Sequence, residues 1–402
     1  MIRHIFLIAL TLLLGHLPAY AEPVPLPEFS PAEQRISLAR KAIDKNPQRY
    51  EAHAQLAMAL AQRARETSNT MYYTQAETAV LQSLKLSPGN LEARRVQIWV
   101  MLGKHEFADA LVAAQALNKL IPDDVQTYGY LTDANIELGH YAEAERAAQW
   151  MLDLRPGNIP GLTRAAYLRE LYGDLPGSLD LMAQAYQRTP ITEREDRAWL
   201  LTHMAHLQLV SKQPQRADDL LTLALQQFPD YHYALAQRAK VRQAQGRHAE
   251  AVAFYRQHVA VAPHPENFFY LGEALLQQGQ KREARQVFTK FETLARAESL
   301  SWDNANRELI AYYADYAKRP ADALKLAEAE MTRRQDIHTL DAYAWALYLN
   351  GKYTQAQQVI DRALGVGALD AQLHDHARRI AEKSGAVGKQ LRNSETHKLG
   401  WL

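Results

Sequence analysis

Apolar residues recur along this chain at i, i+3, i+4 and i+7, the spacing that gives a helix one buried stripe. The stripes come in pairs. One pair reads Tyr128, Leu131 and Thr132, then Ala144; another reads Leu271, Gly272 and Leu275, then Ala284 and Phe288; a third reads Leu340, Ala344 and Leu347, then Ala356 and Ala363. Between the two stripes of each pair stands Gly139, Gly279 or Gly351, placed to end the first helix in the left-handed conformation that other residues resist. Prolines punctuate the pairs. Pro88, Pro122, Pro156 and Pro190 stand 34 residues apart, and Pro229 and Pro263 repeat the interval. Each removes an N–H and biases the preceding residue away from helix. A fixed period of this length predicts an array of helix-turn-helix units that pack mainly on their neighbours.

The turn chemistry repeats in phase. Gly139-x-Tyr141-x-x-Ala144 in one unit becomes Gly246-x-His248-x-x-Ala251 in another and Gly351-x-Tyr353-x-x-Ala356 in a third. This set resembles the tetratricopeptide repeat family, whose units carry large residues at positions 4, 7 and 11, small ones at 8, 20 and 27, an aromatic at 24 and proline at 32. The resemblance implies an all-α, right-handed superhelical solenoid. Small residues at positions 8 and 20, such as Gly272, Ala144, Ala251, Ala284 and Ala356, let the paired helices approach closely.

Composition agrees with an all-helical chain, since Ala, Leu, Gln, Glu, Arg and Lys dominate and β-branched runs are scarce. The expected organisation is a leader at 1–21, a proline-rich linker at 22–30, an N-terminal capping helix at 31–47, eight or nine repeats over 48–391, and a frayed tail at 392–402. The leader rests on Arg3 and His4 before the apolar run Ile5 to Leu14, and on the small residues Ala19 and Ala21, the pattern of a secretory signal. An uncleaved anchor is the alternative, although the run is short for a spanning helix of about 20 residues. The chain has no cysteine, which removes a lipid anchor, disulfides and thiol chemistry. A soluble periplasmic protein is the expectation. Lysine and arginine total 46 and aspartate and glutamate 45, and loss of Arg3 with the leader balances them, so no basic surface awaits nucleic acid or anionic lipid. Homo-oligomerisation is left open.

Extra residues near Arg65 to Tyr72 and from Ile191 to Arg197 read as loop insertions. The unit from Asn304 to Gln335 is degenerate, with Pro320 where an aromatic is usual.

Catalytic signatures are absent: there is no Gly-x-Ser-x-Gly, and His105-Glu106 is followed by Asp109 where a zinc site needs histidine. His203/His206 and His374/His376 are the remaining close pairs, and neither carries a metal assignment. No cofactor is expected. The family resemblance instead points to a concave groove lined by the first helices, with position 9 reading Asp133, Tyr167, His206, Lys240, Glu273, Tyr312 and Trp345. Trp199, Tyr233, Phe269 and Tyr348 stand close by, and Lys240, Glu273 and Asp315 add charge. Aromatics of this kind serve as interface anchors, or they pack between adjacent repeats. The sequence reading is therefore a non-enzymatic scaffold that holds a peptide or protein partner, mainly through its C-terminal half. A structural or oligomerisation spacer, an enzyme and a metal-binding protein are the alternatives.

Overall fold

The structure, a computed structural model, describes residues 30–301 and 304–385. The expected leader, most of the linker and the tail lie outside those residues. Among the described residues there are twenty α-helices and no strand, the paired-helix array that the period predicts and the all-α solenoid that the resemblance implies.

Helix α1 (Pro31–Lys45) opens the stack. Ser30 caps it: its hydroxyl accepts from the Glu33 N–H at 3.2 Å, while Glu33 accepts from the Ser30 N–H at 2.9 Å. Nine helix pairs follow. The first three are α2 (Tyr50–Thr67) with α3 (Met71–Leu86), α4 (Leu91–Gly103) with α5 (Phe107–Leu120), and α6 (Val125–Glu137) with α7 (Tyr141–Leu154). The middle three are α8 (Ile159–Leu171) with α9 (Leu175–Arg188), α10 (Arg194–Val210) with α11 (Pro214–Gln227), and α12 (His232–Ala244) with α13 (His248–Val261). The last are α14 (Pro265–Gln277) with α15 (Lys281–Glu298), α16 (Asn306–Ala311) with α17 (Pro320–Glu330), and α18 (Ile337–Leu349) with α19 (Tyr353–Leu364). Helix α20 (Ala371–Ser384) closes the described stack.

The turn residues inside the pairs take the left-handed region, with φ of 77° at Gly139, 73° at Gly246, 85° at Gly279 and 73° at Gly351. His105, Lys212 and Lys318 make the same turn without glycine. The prolines of the 34-residue ladder each stand just beyond the end of an outer helix. Ala144, Ala251, Ala284 and Ala356 are fully buried. A Cβ on Gly272 would lie 2.6 Å from the Phe288 ring, so glycine sets how closely α14 and α15 pack.

The segments read as loop insertions are loops only in part: Ser68 to Thr70 and Ile191 to Glu193 lie between helices, while Arg65 to Thr67 continue α2 and Arg194 to Arg197 open α10. α2 has 18 residues and α10 has 17, against 13 in α4, α6, α8, α12, α14 and α18. Only Ser68 to Thr70 separate α2 from α3. The helical parts of these stretches carry Arg65, Glu66, Arg194, Glu195 and Arg197, residue types that continue a helix at little cost, and their charged side chains meet each other, as described below. In the degenerate unit α16 is short and continues as a π-helical turn over Tyr312–Tyr316. Pro320 occupies the first turn of α17, where its missing N–H leaves nothing unsatisfied.

Candidate binding surface

The inner helices α2 through α18 carry the residues singled out for a groove. Most of them are joined to the next inner helix about one repeat further on. Asp133 pairs with Arg164. Glu170 accepts from two imidazoles of α10, His203 at 2.7 Å and His206 at 2.8 Å, and the Tyr167 and Trp199 rings pack against His203. Lys240 lies 5.5 Å from the Tyr270 ring centre. The Tyr316 hydroxyl donates to Glu273 at 2.7 Å, and Tyr270 donates to Glu308 at 3.0 Å. Trp345 donates through its indole N–H to Asp315 at 3.0 Å, with its ring between Tyr348 and His376. His376 in turn pairs with Asp341 at 2.8 Å.

This ladder changes what the aromatics do. Phe269 is 5% exposed and Trp345 7%, so both belong to the packing between repeats. Tyr312 is partly buried against Phe288 and Phe291. Tyr233, at 45% exposed, and Tyr316 offer open ring surface, while Trp199, Tyr167, His206, Lys240, Glu273 and Tyr348 are half-buried.

Burial shapes the electrostatics of this wall. For Glu170, burial pushes the carboxyl up, but the two histidine hydrogen bonds outweigh it and bring it down to about 2. Glu273 moves the other way, raised by burial and by Asp315 to about 6 although the Tyr316 hydroxyl opposes the change. Burial also lowers the Lys240 ammonium from its ordinary value. Among the described residues no group of three or more His, Asp or Glu is arranged to hold a metal ion, and no helix is long and apolar enough to cross a membrane.

The groove implied by the resemblance is open; the one observed is narrowed by contacts between distant parts of the coil. Arg65 of α2 meets Glu195 of α10 at 3.0 Å, and the Arg65 carbonyl accepts from the His232 imidazole at 2.8 Å. Further along, the Gln335 N–H donates to the Glu137 carbonyl at 2.9 Å, and the Ile337 N–H donates to the Tyr141 hydroxyl at 3.0 Å. Arg334 lies 3.6 Å from the Glu137 carboxylate and 5.9 Å from the Phe107 ring centre. The backbone itself is in contact here, since a Cβ on Gly139 would lie 2.8 Å from the Gln335 carbonyl oxygen, and one on Gly173 would lie 2.7 Å from that of Gly367. A polar cavity of about 240 Å³ remains between the two parts, with Arg65, Tyr73 and His105 on one side and Tyr233, Arg307 and Arg334 on the other. No local motif announces these contacts; the one sequence signal was the pair of insertions, at Arg65 and at Glu195.

No family model matches the chain, and no curated protein matches it. Solved structures do. A monomeric mutant of IFIT1 with Gppp-AAAA superposes with a TM-score of 0.52 at 16% identity, over 83% of this chain and 76% of that one. The APC/C hetero-tetramer Cut9-Hcn1 gives 0.45 at 11%, over 87% of this chain and 66% of that one, so this chain spans just under two thirds of it. A tetratricopeptide repeat protein from Parabacteroides merdae gives 0.41 at 14%, over 59% of this chain and 93% of that one. At such identities the likeness is one of fold. The chain has a tetratricopeptide-like helical repeat fold.

Proposed function

We propose that this chain is a non-enzymatic scaffold that holds an extended peptide or a protein partner against the inner helices of its C-terminal half. The observation that carries the reading is the ring of Tyr233, 45% exposed beside a polar cavity on the inner side of the coil. A large aromatic left open amid otherwise satisfied side chains is the kind of residue that anchors interfaces. Tyr316, Tyr348, Trp199, Lys240 and Glu273 extend the same surface. The apolar run Ile5 to Leu14 and the small residues Ala19 and Ala21 support export to a bacterial periplasm, and with it a role in envelope assembly, secretion or polysaccharide export.

The test is cross-linked affinity purification of the tagged protein from its native envelope, beside a Tyr233→Ala/Tyr316→Ala variant whose melting curve matches wild type. Trp345 is unsuitable, because it is part of the packing. A discrete partner lost in the variant supports the scaffold. Equal recovery from both moves the binding surface elsewhere, and the absence of any partner favours a structural spacer.

A further inference from the structure

The contacts that narrow the coil are of two kinds. Those of Gly139, Tyr141 and Gly173 with the last repeats lie beside buried apolar residues, and Ile136, Leu171 and Ile337 share one cluster there. The first three helices meet the middle of the coil differently. The apolar cluster of α1 to α4, with Leu60, Val80 and Val96, includes nothing from α10 to α12, whose own core holds Leu201, Leu221 and Tyr231. Charge and a backbone group bridge this seam instead. Arg35 of α1 lies 3.3 Å from Glu193, Arg65 of α2 lies 3.0 Å from Glu195 and 3.4 Å from Asp196, and the Arg65 carbonyl accepts from His232 at 2.8 Å. The polar cavity of about 240 Å³ lies along the same seam.

A seam of this composition is closely balanced. A buried ion pair gains attraction but loses hydration, and the two nearly cancel. Glu195 is buried under Arg65, and burial pushes its carboxyl above the ordinary value in spite of that guanidinium. Separation returns the charges to water. Glu195 and Asp196 then remain in the first turn of α10, where the positive end of the helix favours them. Two parts of a chain joined through polar groups move against each other more readily than two that share an apolar core.

α4 supplies a pivot. Val96 and Val100 on one face pack with α1 to α3, Ile98 on the other packs with α5 and α6, and Trp99 touches both clusters. The seam also reaches the open aromatic of the inner side, because the His232 ring that donates to the Arg65 carbonyl lies 4.0 Å from the Tyr233 ring.

We propose that α1 to α3 form a latch, closed by Arg35 and Arg65 on the acidic start of α10, which pivots on α4 to open the inner side of the coil beside Tyr233. That the opening admits a partner rests on the scaffold reading above; the latch itself does not.

The experiment is double electron–electron resonance on the full chain, which has no cysteine, so that nitroxides attach only at introduced ones. Ser37→Cys on α1 with Gln226→Cys on α11 spans the seam, and Ser37→Cys with Lys85→Cys on α3 stays within the latch; all three positions are exposed. The first pair reads a short distance for the closed seam and a longer one for the open. Arg65 makes its ion pairs only across the seam, and Arg65→Glu is expected to raise the ratio of long to short by about tenfold or more. Arg35→Glu, at an exposed pair, is expected to raise it by about twofold, and adding Glu193→Arg to reverse that change. The pair within the latch is expected to keep one distance throughout. A single unchanged distance across the seam in wild type, Arg65→Glu and Arg35→Glu alike overturns the proposal. So does lengthening within the latch, which means melting in place of pivoting. No partner takes part in the measurement, so a failed latch and a failed scaffold reading are told apart.

Discussion

Arg65, near the end of α2, donates to Glu195 in the first turn of α10 at 3.0 Å, although 130 residues separate them in the chain. Glu195 is 2% exposed and also accepts from the Tyr231 hydroxyl at 2.7 Å. Each residue belongs to a stretch that exceeds the standard repeat, and the two stretches lengthen their helices until they touch. Removing Arg65 leaves a buried carboxylate without its cation. Arg65→Ala is therefore expected to cost about 2–4 kcal/mol in urea denaturation, below the range for fully buried pairs because the guanidinium is partly exposed. Adding Glu195→Gln should recover part of the loss in a double-mutant cycle, whereas additive losses mean that the two side chains do not interact.

Two turn glycines differ in one respect. Gly173 and Gly246 have φ of 80° and 73°, but a Cβ meets the Gly367 carbonyl at Gly173 and nothing within 4 Å at Gly246. Both alanine variants incur left-handed strain of roughly 1–2 kcal/mol. Gly173→Ala should lose a further 1–3 kcal/mol, approximately, as the contact between distant parts of the coil is forced apart. Thermal melts of the two variants measure the difference, and equal losses mean that the contact yields freely.

The clamp of His203 and His206 on Glu170 sets an acid limit. Its carboxyl is held at about 2 in the folded chain against an ordinary value of 4.5. A depressed carboxyl contributes stability that is complete above the unfolded value and is lost as pH falls through the folded one. The contribution, on the order of 3 kcal/mol, should disappear between about pH 4.5 and pH 2. Glu170→Gln should flatten that limb of the stability profile; an unchanged profile assigns the acid sensitivity to other groups.

Close approach within a repeat is tested at two small residues. Ala251 is fully buried, and a Cβ on Gly272 meets the Phe288 ring at 2.6 Å. Ala251→Leu and Gly272→Ala should each cost about 1–3 kcal/mol from overpacking. A denaturation midpoint unchanged from wild type rejects that role for the residue concerned.

The class of fold, the paired helices and their turns were readable in the chain because each depends on neighbours. Apolar residues return every three or four positions, a left-handed turn asks for Gly139 or Gly351, and Pro156 or Pro263 ends an outer helix within its own unit. The aromatics on the inner helices were readable as residues but not as surfaces. Whether Trp345 is open depends on Asp315 in one neighbouring repeat and His376 beyond it, whereas Tyr233, with the His232 ring 4.0 Å away, keeps 45% of its surface exposed. The contacts of Arg65 with Glu195 and of Glu137 with Gln335 were not readable as contacts: the insertions at Arg65 and Glu195 stood out in the chain, but nothing in them named a partner. They arise from a small rotation per repeat accumulated over about five units, and no single repeat records that sum. Helix and turn are local consequences of side-chain spacing; the closure of the coil, and with it the shape left for a partner, is a collective property of the whole stack.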